Sequence, residues 1–531
     1  MPHNQSKQTL TDQELIQKWH NQPAPLLPIL HAFHDRDGFV SESSMRAISL
    51  ALKIPLAELF GTVSFYHHLS QSPPGQLAPR VCDGPVCRLQ GSRRLLAELS
   101  DQNATQMPCA GRCDDFIPVL KGAEVLIGTT ANNLKVRPSP LPPPNPGQVE
   151  ECVFSQIRQP NRSEILGYRQ TGGYDGFISM LDLMRPADVI HILEDSQLAG
   201  RGGASFPTGL KWKTVAEEKR GPKTIVCNAD EGEPGCFKDR AIMDYDPHAV
   251  IEGMLIAAYA TGANQGFIYL RYEYPETLNI LSQAIEESQV SGFLGDSILG
   301  SDFDFQIDIR RGAGSYICGE ETALLNSLEG KRPFPRNRPP YPVTNGFQDL
   351  PTAVNNVETL ASVPQILRNG ADWYRGLGLN GHAGTKIISL SGDIQRPGNY
   401  EIPIGLPLST LLYDWAGGAT SGRAVQAVTM AGVSGGFLAK KDLDVKLDNQ
   451  SVAAKGSILG SGGVIVFDDS RNMVEVAENA MGFFAEESCG KCFPCRIGTQ
   501  RLTERLAMDL PIQSKEVWLT EVKEIGQTMK A

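Results

Sequence analysis

The chain has 531 residues, 41% hydrophobic and 21% charged, with a formal net charge of −11. This is a globular composition, enough for roughly three or four domains of ~100–200 residues. The acidic balance argues against a nucleic-acid or anionic-membrane surface, but leaves room for a dinucleotide, which needs only local charge and backbone N–H groups. The opening MPHNQSKQTLTDQ has no apolar core for a secretory signal, and no stretch of ~18 apolar residues would cross a bilayer. The expected location is cytoplasmic, without direct membrane insertion.

In chain order, residues 12–70 read as helical, with apolar residues at helical spacing over 47–66, interrupted near Pro55 and Gly61. So sparse an apolar set predicts a small bundle packed on a neighbour, closed by the Ser-Pro-Pro-Gly turn at 72–75. A short strand with Val81 and Cys82, a helix over about 88–99, a strand over 116–120 and a hairpin over 123–136 make a small α/β unit. The proline-rich PSPLPPPNPG at 138–147 predicts an extended linker and the clearest domain boundary. From about 160 to 370, apolar strands such as 224–226 and 266–269 alternate with helices and glycine-rich turns. Residues 385–470 read as β-rich, with strands at 386–389 and 463–467, and the chain is helical from Arg471 onwards.

Seven of the 11 cysteines fall in two tight groups. Without an export signal, close spacing reads as metal ligation rather than a disulfide framework. In the first group, Cys82-x4-Cys87 and Cys109-x3-Cys113 put four thiolates on two loops, which suits a tetrahedral zinc or a 2Fe–2S cluster. Spacings of four and three are wide for a zinc knuckle and favour iron–sulfur; a redox thiol switch is the third reading. The run CDGPVC…CAGRC, after a helical segment ending in FGTVSFYHHL, resembles the thioredoxin-like 2Fe–2S ferredoxin subunit of respiratory complex I over about residues 12–135, with all four ligand positions matched.

Three segments between 198 and 360 carry the next signal. In Gly200-Arg201-Gly202-Gly203…Gly209, with Lys211 beyond, glycines let backbone N–H groups approach a phosphate while Arg201 and Lys211 add charge. A glycine turn packing a helix closely is the plainer alternative. The segment is not a Rossmann fingerprint, because Ser205 holds the third glycine position, nor is it a Walker A loop. Next, Asn228-Ala-Asp230-Glu231-Gly-Glu233 crowds three carboxylates that must be solvated, hydrogen-bonded or engaged with ligand hydroxyls. The third segment, 311–321, ends on Tyr316, Gly319, Glu320 and Glu321, and Asn355-Asn356-Val-Glu-Thr359 follows.

Taken together, GRGGASFPTGLKW, CNADEGEPGCFKD, RRGAGSYICGEET and AVNNVETL closely resemble the flavin-carrying subunit of complex I over about residues 165–531. The same module occurs in NAD-reducing hydrogenases and NAD-dependent formate dehydrogenases. The resemblance implies that Gly200, Arg201, Gly202, Gly203, Gly209 and Lys211 line the NADH and FMN-phosphate region and that Phe206 stacks on a ring of NADH. It implies that Asn228, Asp230, Glu231, Asn355, Asn356 and Thr359 hold FMN, that Tyr316, Gly319, Glu320 and Glu321 shape the site, and that Glu233 beside the NADH ribose discourages NADPH. Arg338 and Tyr341 stand where the family more often has Lys and Phe, which implies an adjusted adenine contact. The segment SGDIQRPGNYEIPIGLPLSTLL matches the family's ubiquitin-like insertion, with an expected structural role.

Cys489-x2-Cys492-x2-Cys495 is the opening of a 4Fe–4S pattern, and ESCGKCFPCRIGT resembles the same family. The family's fourth ligand follows a run like Ile525-Gly-Gln-Thr-Met-Lys-Ala531. No cysteine or histidine follows Cys495, so the expectation is a chain cut short of that ligand.

The expected architecture is multidomain α/β: an N-terminal helical bundle (1–75), a thioredoxin-like 2Fe–2S domain (76–137), a proline-rich linker (138–160), an atypical Rossmann-like FMN/NADH domain (161–375), a ubiquitin-like SLBB domain (376–470) and a helical 4Fe–4S domain (471–531). By resemblance the chain moves hydride between NAD(H) and FMN and single electrons through its clusters, with no protein acid–base pair. The expected partner is the molybdenum- or tungsten-bearing subunit of a formate dehydrogenase. The diaphorase of an NAD-reducing hydrogenase and a fused complex I subunit are the alternatives, and a flavin-free, zinc-bound homologue is the reading from another class.

Overall fold

The computed structural model describes residues 10–508 and 515–530; the readings of residues 1–9, 509–514 and 531 lie outside these. Four helices open the described chain: Asp12–His20, Leu26–Asp37, Glu42–Leu52 and Leu56–Val63. Thr11 starts the first with a reciprocal cap, its hydroxyl accepting from the Glu14 N–H while the Glu14 carboxylate accepts from the Thr11 N–H. Pro55 separates the last two, as its fixed φ and missing donor require. Gly61 does not interrupt: it lies inside Leu56–Val63, and a Cβ there would meet open space.

The small α/β unit is a four-stranded sheet of β1 (Arg80–Cys82), β2 (Thr105–Met107), β3 (Ile117–Lys121) and β4 (Glu124–Gly128) in the order β2-β1-β3-β4. The helix expected at 88–99 is two pieces, Pro85–Leu89 and Ser92–Glu98, because Gly91 turns the chain at φ +94°. The hairpin joins β3 to β4, while 131–136 adds a single bridge from Lys135 to Ile127. β2 carries no sequence signal, since Thr105 and Gln106 are exposed and polar.

The next sheet is wholly parallel: β5 (Thr224–Ala229), β6 (Gln265–Leu270), β7 (Gln306–Arg311) and β8 (Thr352–Asn356), ordered β7-β6-β5-β8. A parallel sheet must be covered on both faces. Alternating strand residues divide accordingly. Ile225, Cys227, Ile268 and Leu270 pack with the helices Pro247–Thr261 and Val357–Asn369. Val226, Phe267, Tyr269 and Val354 pack with Ile29, Leu30, Phe33 and Val63 of the N-terminal bundle. The bundle is therefore one of the two helical layers of the central sheet.

The β-rich region is a mixed sheet of β9 (Thr385–Gly392), β10 (Gly398–Pro403), β11 (Val425–Met430), β12 (Phe437–Ala439) and β13 (Gly463–Asp468), ordered β10-β9-β13-β11-β12, with first and last strands parallel at its centre. The proline-rich segment is not a free tether. Ser139 bonds Asp244, Asn145 bonds the Glu401 carbonyl, and the Arg158 guanidinium gathers the carbonyls of Pro142 and Pro143. Helices Met473–Glu486, Phe493–Leu506 and Lys515–Thr528 follow. Among the described residues no helix is long and apolar enough to cross a membrane.

Candidate functional site

β6 and β7 lie on one side of β5 and β8 on the other, so the connections diverge at the C-terminal ends of β5 and β8. A crevice opens at such a switch point. Asn228 and Asn356 face each other there in register. A cleft of about 410 Å³ occupies the place, lined by Gly202, Gly203, Asn228, Asp230, Glu231, Gly232, Glu233, Cys236, Asp239, Tyr316, Ile317, Gly319, Glu320 and Asn356, and closed by Ser434, Ile458, Gly460 and Ser461 from loops of the β9–β13 sheet. Those last four come from loops beyond the segment given a structural role; small residues in a β-domain loop carry no chemical signal of their own.

The glycines keep the cleft open. A Cβ on Gly202 would press on Asn356, one on Gly319 on the Asp230 carbonyl, and Gly203 holds φ +122°. Asn228 donates from Nδ2 to the Gly319 carbonyl, tying β5 to the third segment. Asn356 caps the helix Val357–Asn369 through the Glu358 N–H and donates to Asp239 at 2.6 Å, so the positive end of that helix opens on the cleft.

The carboxylates have distinct surroundings. Asp230 is half-buried, with its Oδ2 buried and unpartnered, and desolvation pushes its pKa up to about 8. Glu231 accepts the N–H groups of Asp239 and Arg240 at the start of the helix Lys238–Tyr245; burial lifts its pKa to about 7. Glu233 accepts the Tyr316 hydroxyl at 2.6 Å and the N–H groups of Val433 and Ser434 at 2.8 and 3.0 Å. Desolvation raises it, and these bonds offset part of the rise.

Other expected residues stand off the cleft. The buried Arg201 side chain turns to the Tyr374 hydroxyl, while its N–H donates to Thr359 Oγ1. Asn355 accepts from Trp212 Nε1. Gly209 lets the helix Thr208–Glu217 approach Glu194, where a Cβ would clash, the close-packing role left open by its sequence. Phe206 is exposed with the Lys211 ammonium 5.9 Å from its ring; Lys211 also bonds the Val354 carbonyl and pairs with Glu321. Arg338 pairs with Glu320 and Glu321, and Tyr341 is exposed.

Cys82, Cys87, Cys109 and Cys113 are all buried. Cys109 and Cys113 Sγ lie 3.6 Å apart, close to the ~3.7 Å edge of a tetrahedron with 2.3 Å metal–sulfur bonds. The Ala110 N–H donates to Cys82 Sγ, a bond that stabilises a thiolate. Cys82 interacts with both Cys87 and Cys109, so the four buried thiols stand together, and four thiolates are the ligand number of a two-iron cluster. In the second group Cys492 stands at the position before the helix Phe493–Leu506, without a side-chain capping bond, and Cys495 lies in its first turn, where the helix dipole favours thiolates. Lys491 fastens this loop to the Pro335 carbonyl and Asn337. The three thiols fit three ligand positions of a 4Fe–4S cluster.

Three family models match the chain. Residues 193–365 match the Nuo51 FMN-binding domain, 12–115 the thioredoxin-like [2Fe-2S] ferredoxin, and 475–531 the NADH-ubiquinone oxidoreductase-F iron-sulfur binding region. The chain is 47% identical over 358 residues to NADP-reducing hydrogenase subunit HndC of Solidesulfovibrio fructosivorans, covering 67% of this chain and 73% of that one. It is 45% identical over 332 residues to the F component of NADH-quinone oxidoreductase from Escherichia coli (strain K12), covering 62% and 75%. A crystal structure of air-oxidized NAD+-reducing [NiFe]-hydrogenase superposes with a TM-score of 0.77 at 31% identity, over 92% of this chain and 85% of that one. The chain belongs to the complex I 51K flavoprotein family, as an NADH-oxidising electron-transfer subunit with an FMN-binding domain, a thioredoxin-like 2Fe–2S domain and a 4Fe–4S region.

Proposed function

We propose that this chain is the NAD-linked subunit of a formate dehydrogenase whose partner carries molybdenum or tungsten, with FMN held in the cleft between Asn228 and Asn356. Bound FMN would take up hydride and release electrons one at a time. The chain's own residues set the geometry. Gly202, Gly203 and Gly319 would let backbone approach the flavin, the N-terminus of helix Val357–Asn369 would favour its phosphate, and the unpartnered Asp230 Oδ2 would take a ligand hydroxyl or ring N–H. Glu233 and Tyr316, bonded to each other, would form the wall for the NADH ribose, and Phe206 and Lys211 would hold the outer part of the dinucleotide. Glu320, Glu321, Arg338 and Tyr341 line its approach.

The observation that carries the cofactor reading is the cleft at the β5/β8 switch point with a buried, unpartnered carboxyl oxygen inside it. The formate dehydrogenase reading rests on the fused ferredoxin domain and the ADEGEPG run. The hydrogenase diaphorase is the second reading, favoured by the 92% coverage in the superposition. Isolation of the native complex through a tag on this chain, with metal analysis, separates them. Molybdenum or tungsten with formate-driven NAD reduction is the expected result; nickel with hydrogen-driven reduction supports the second reading, and neither contradicts both.

A further inference from the structure

The loop carrying Cys109 and Cys113 does not merely touch the flavin domain; it is gripped by three side chains of that domain. Arg271, at the end of β6, donates from Nη2 to the Cys109 carbonyl at 2.6 Å and from Nη1 to the Glu231 carbonyl, while Nε pairs with Glu273 at 3.0 Å. Its guanidinium lies over the Tyr274 ring at 5.0 Å. Arg240 donates from Nη1 to the Gly111 carbonyl and from Nη2 to both oxygens of Asp114. The Tyr274 hydroxyl bonds both the Gly111 carbonyl and Glu231 Oε2. Gly111 is held at φ +65°, and any Cβ there would run into Tyr274 and Arg271, so the glycine of CAGRC is explained by the grip.

We propose that Arg271 is a positioning residue that couples the first cysteine group to the flavin cleft, by holding a carbonyl of each on one rigid guanidinium. This rests on the reading of Cys82, Cys87, Cys109 and Cys113 as 2Fe–2S ligands and of the Glu231 loop as cleft wall. Two physical effects follow. The fork fixes the spacing of the two loops, because three coplanar nitrogens serve three separate acceptors; a lysine, whose donors radiate from one atom, does not reproduce this. A reduced cluster also carries one more negative charge. A buried guanidinium bonded to a ligand's own carbonyl stabilises that state more than it would in water. Glu273, itself bonded to His68, orients the fork.

The test uses the full chain with cofactors loaded, as Arg271→Lys and as the charge-neutral pair Arg271→Gln/Glu273→Gln. Iron and flavin content, an EPR redox titration of the 2Fe–2S signal and rapid-mixing reduction by NADH are measured on each. The expected result is retained cluster and flavin in both variants, with cluster reduction slowed about tenfold more than flavin reduction in both because both lose the fork. The midpoint potential stays near that of the parent in Arg271→Lys, which keeps the charge. It falls by about 59 mV, a tenfold change in the oxidised-to-reduced ratio, in the double variant, where the cation lost is the group bonded to the Cys109 carbonyl. Unchanged potential and rate ratio in both variants would overturn the proposal. So would loss of the cluster from both, which would make Arg271 a residue of folding alone. Absence of the signal in the parent chain would instead defeat the reading of the first cysteine group.

Discussion

At the scale of single residues, Glu233 shows how a carboxylate is set to a task. Its oxygens accept one hydroxyl and two backbone N–H groups, so the side chain is fixed where the cleft meets the β11–β12 loop. If the ribose rests there, a 2′-phosphate would meet a like charge that cannot swing away. Glu233→Gln should therefore raise kcat/KM with NADPH relative to NADH by about fivefold to tenfold, on the order of 1 kcal/mol. Comparison of both coenzymes with an artificial acceptor checks this, and an unchanged ratio would put Glu233 away from the ribose. The acidic run ADEGE was visible in the sequence as a crowd needing partners; the partners were not, because Val433 and Ser434 contribute backbone N–H groups, and backbone donors leave no mark on residue identity. The same blindness applies to Arg271, an ordinary arginine until its carbonyl acceptors are known.

At the scale of elements, strands and helices whose residues face an apolar core were legible, and those set by one glycine or one polar contact were not. The parallel strands β5 and β6 announced themselves as apolar runs because both faces are buried. The split helix at Gly91 and the polar strand β2 did not. The segment after the proline run is the clearest case of a hidden element. Glu401 of β10 accepts the N–H groups of Cys152, Val153 and Phe154 and the Thr385 hydroxyl, so one carboxyl pins a stretch that composition presents as a linker. Burial pushes the Glu401 pKa up to about 7. Glu401→Gln turns an amide NH2 against these donors and should loosen the segment by about 1–3 kcal/mol. Hydrogen exchange at the amides of Cys152, Val153 and Phe154 should speed up by roughly five- to a hundredfold. Exchange unchanged at these three would show that the proline segment is held by its other contacts.

At the scale of the whole molecule, the fused domains are layers of one assembly. The N-terminal bundle covers a face of the central sheet, the ferredoxin unit is bonded to the loops beside the cleft, and loops of the β9–β13 sheet close the cleft. Sequence could divide the chain at its prolines and glycines, yet could not show that Val226, Phe267 and Tyr269 need the bundle as their cover, since that pairing joins residues some 200 positions apart. The arrangement sets the first cysteine group directly behind the Glu231 loop and leaves Cys492 and Cys495 exposed, so electrons would pass between the cleft and the surface. The most direct test of this account is a stepwise NADH titration of the purified chain, followed by flavin absorbance and by EPR. The account predicts flavin bleaching together with a 2Fe–2S signal that is lost when Cys109 is replaced by Ser. Stoichiometric zinc in place of iron, or NADH binding without flavin reduction, would contradict it.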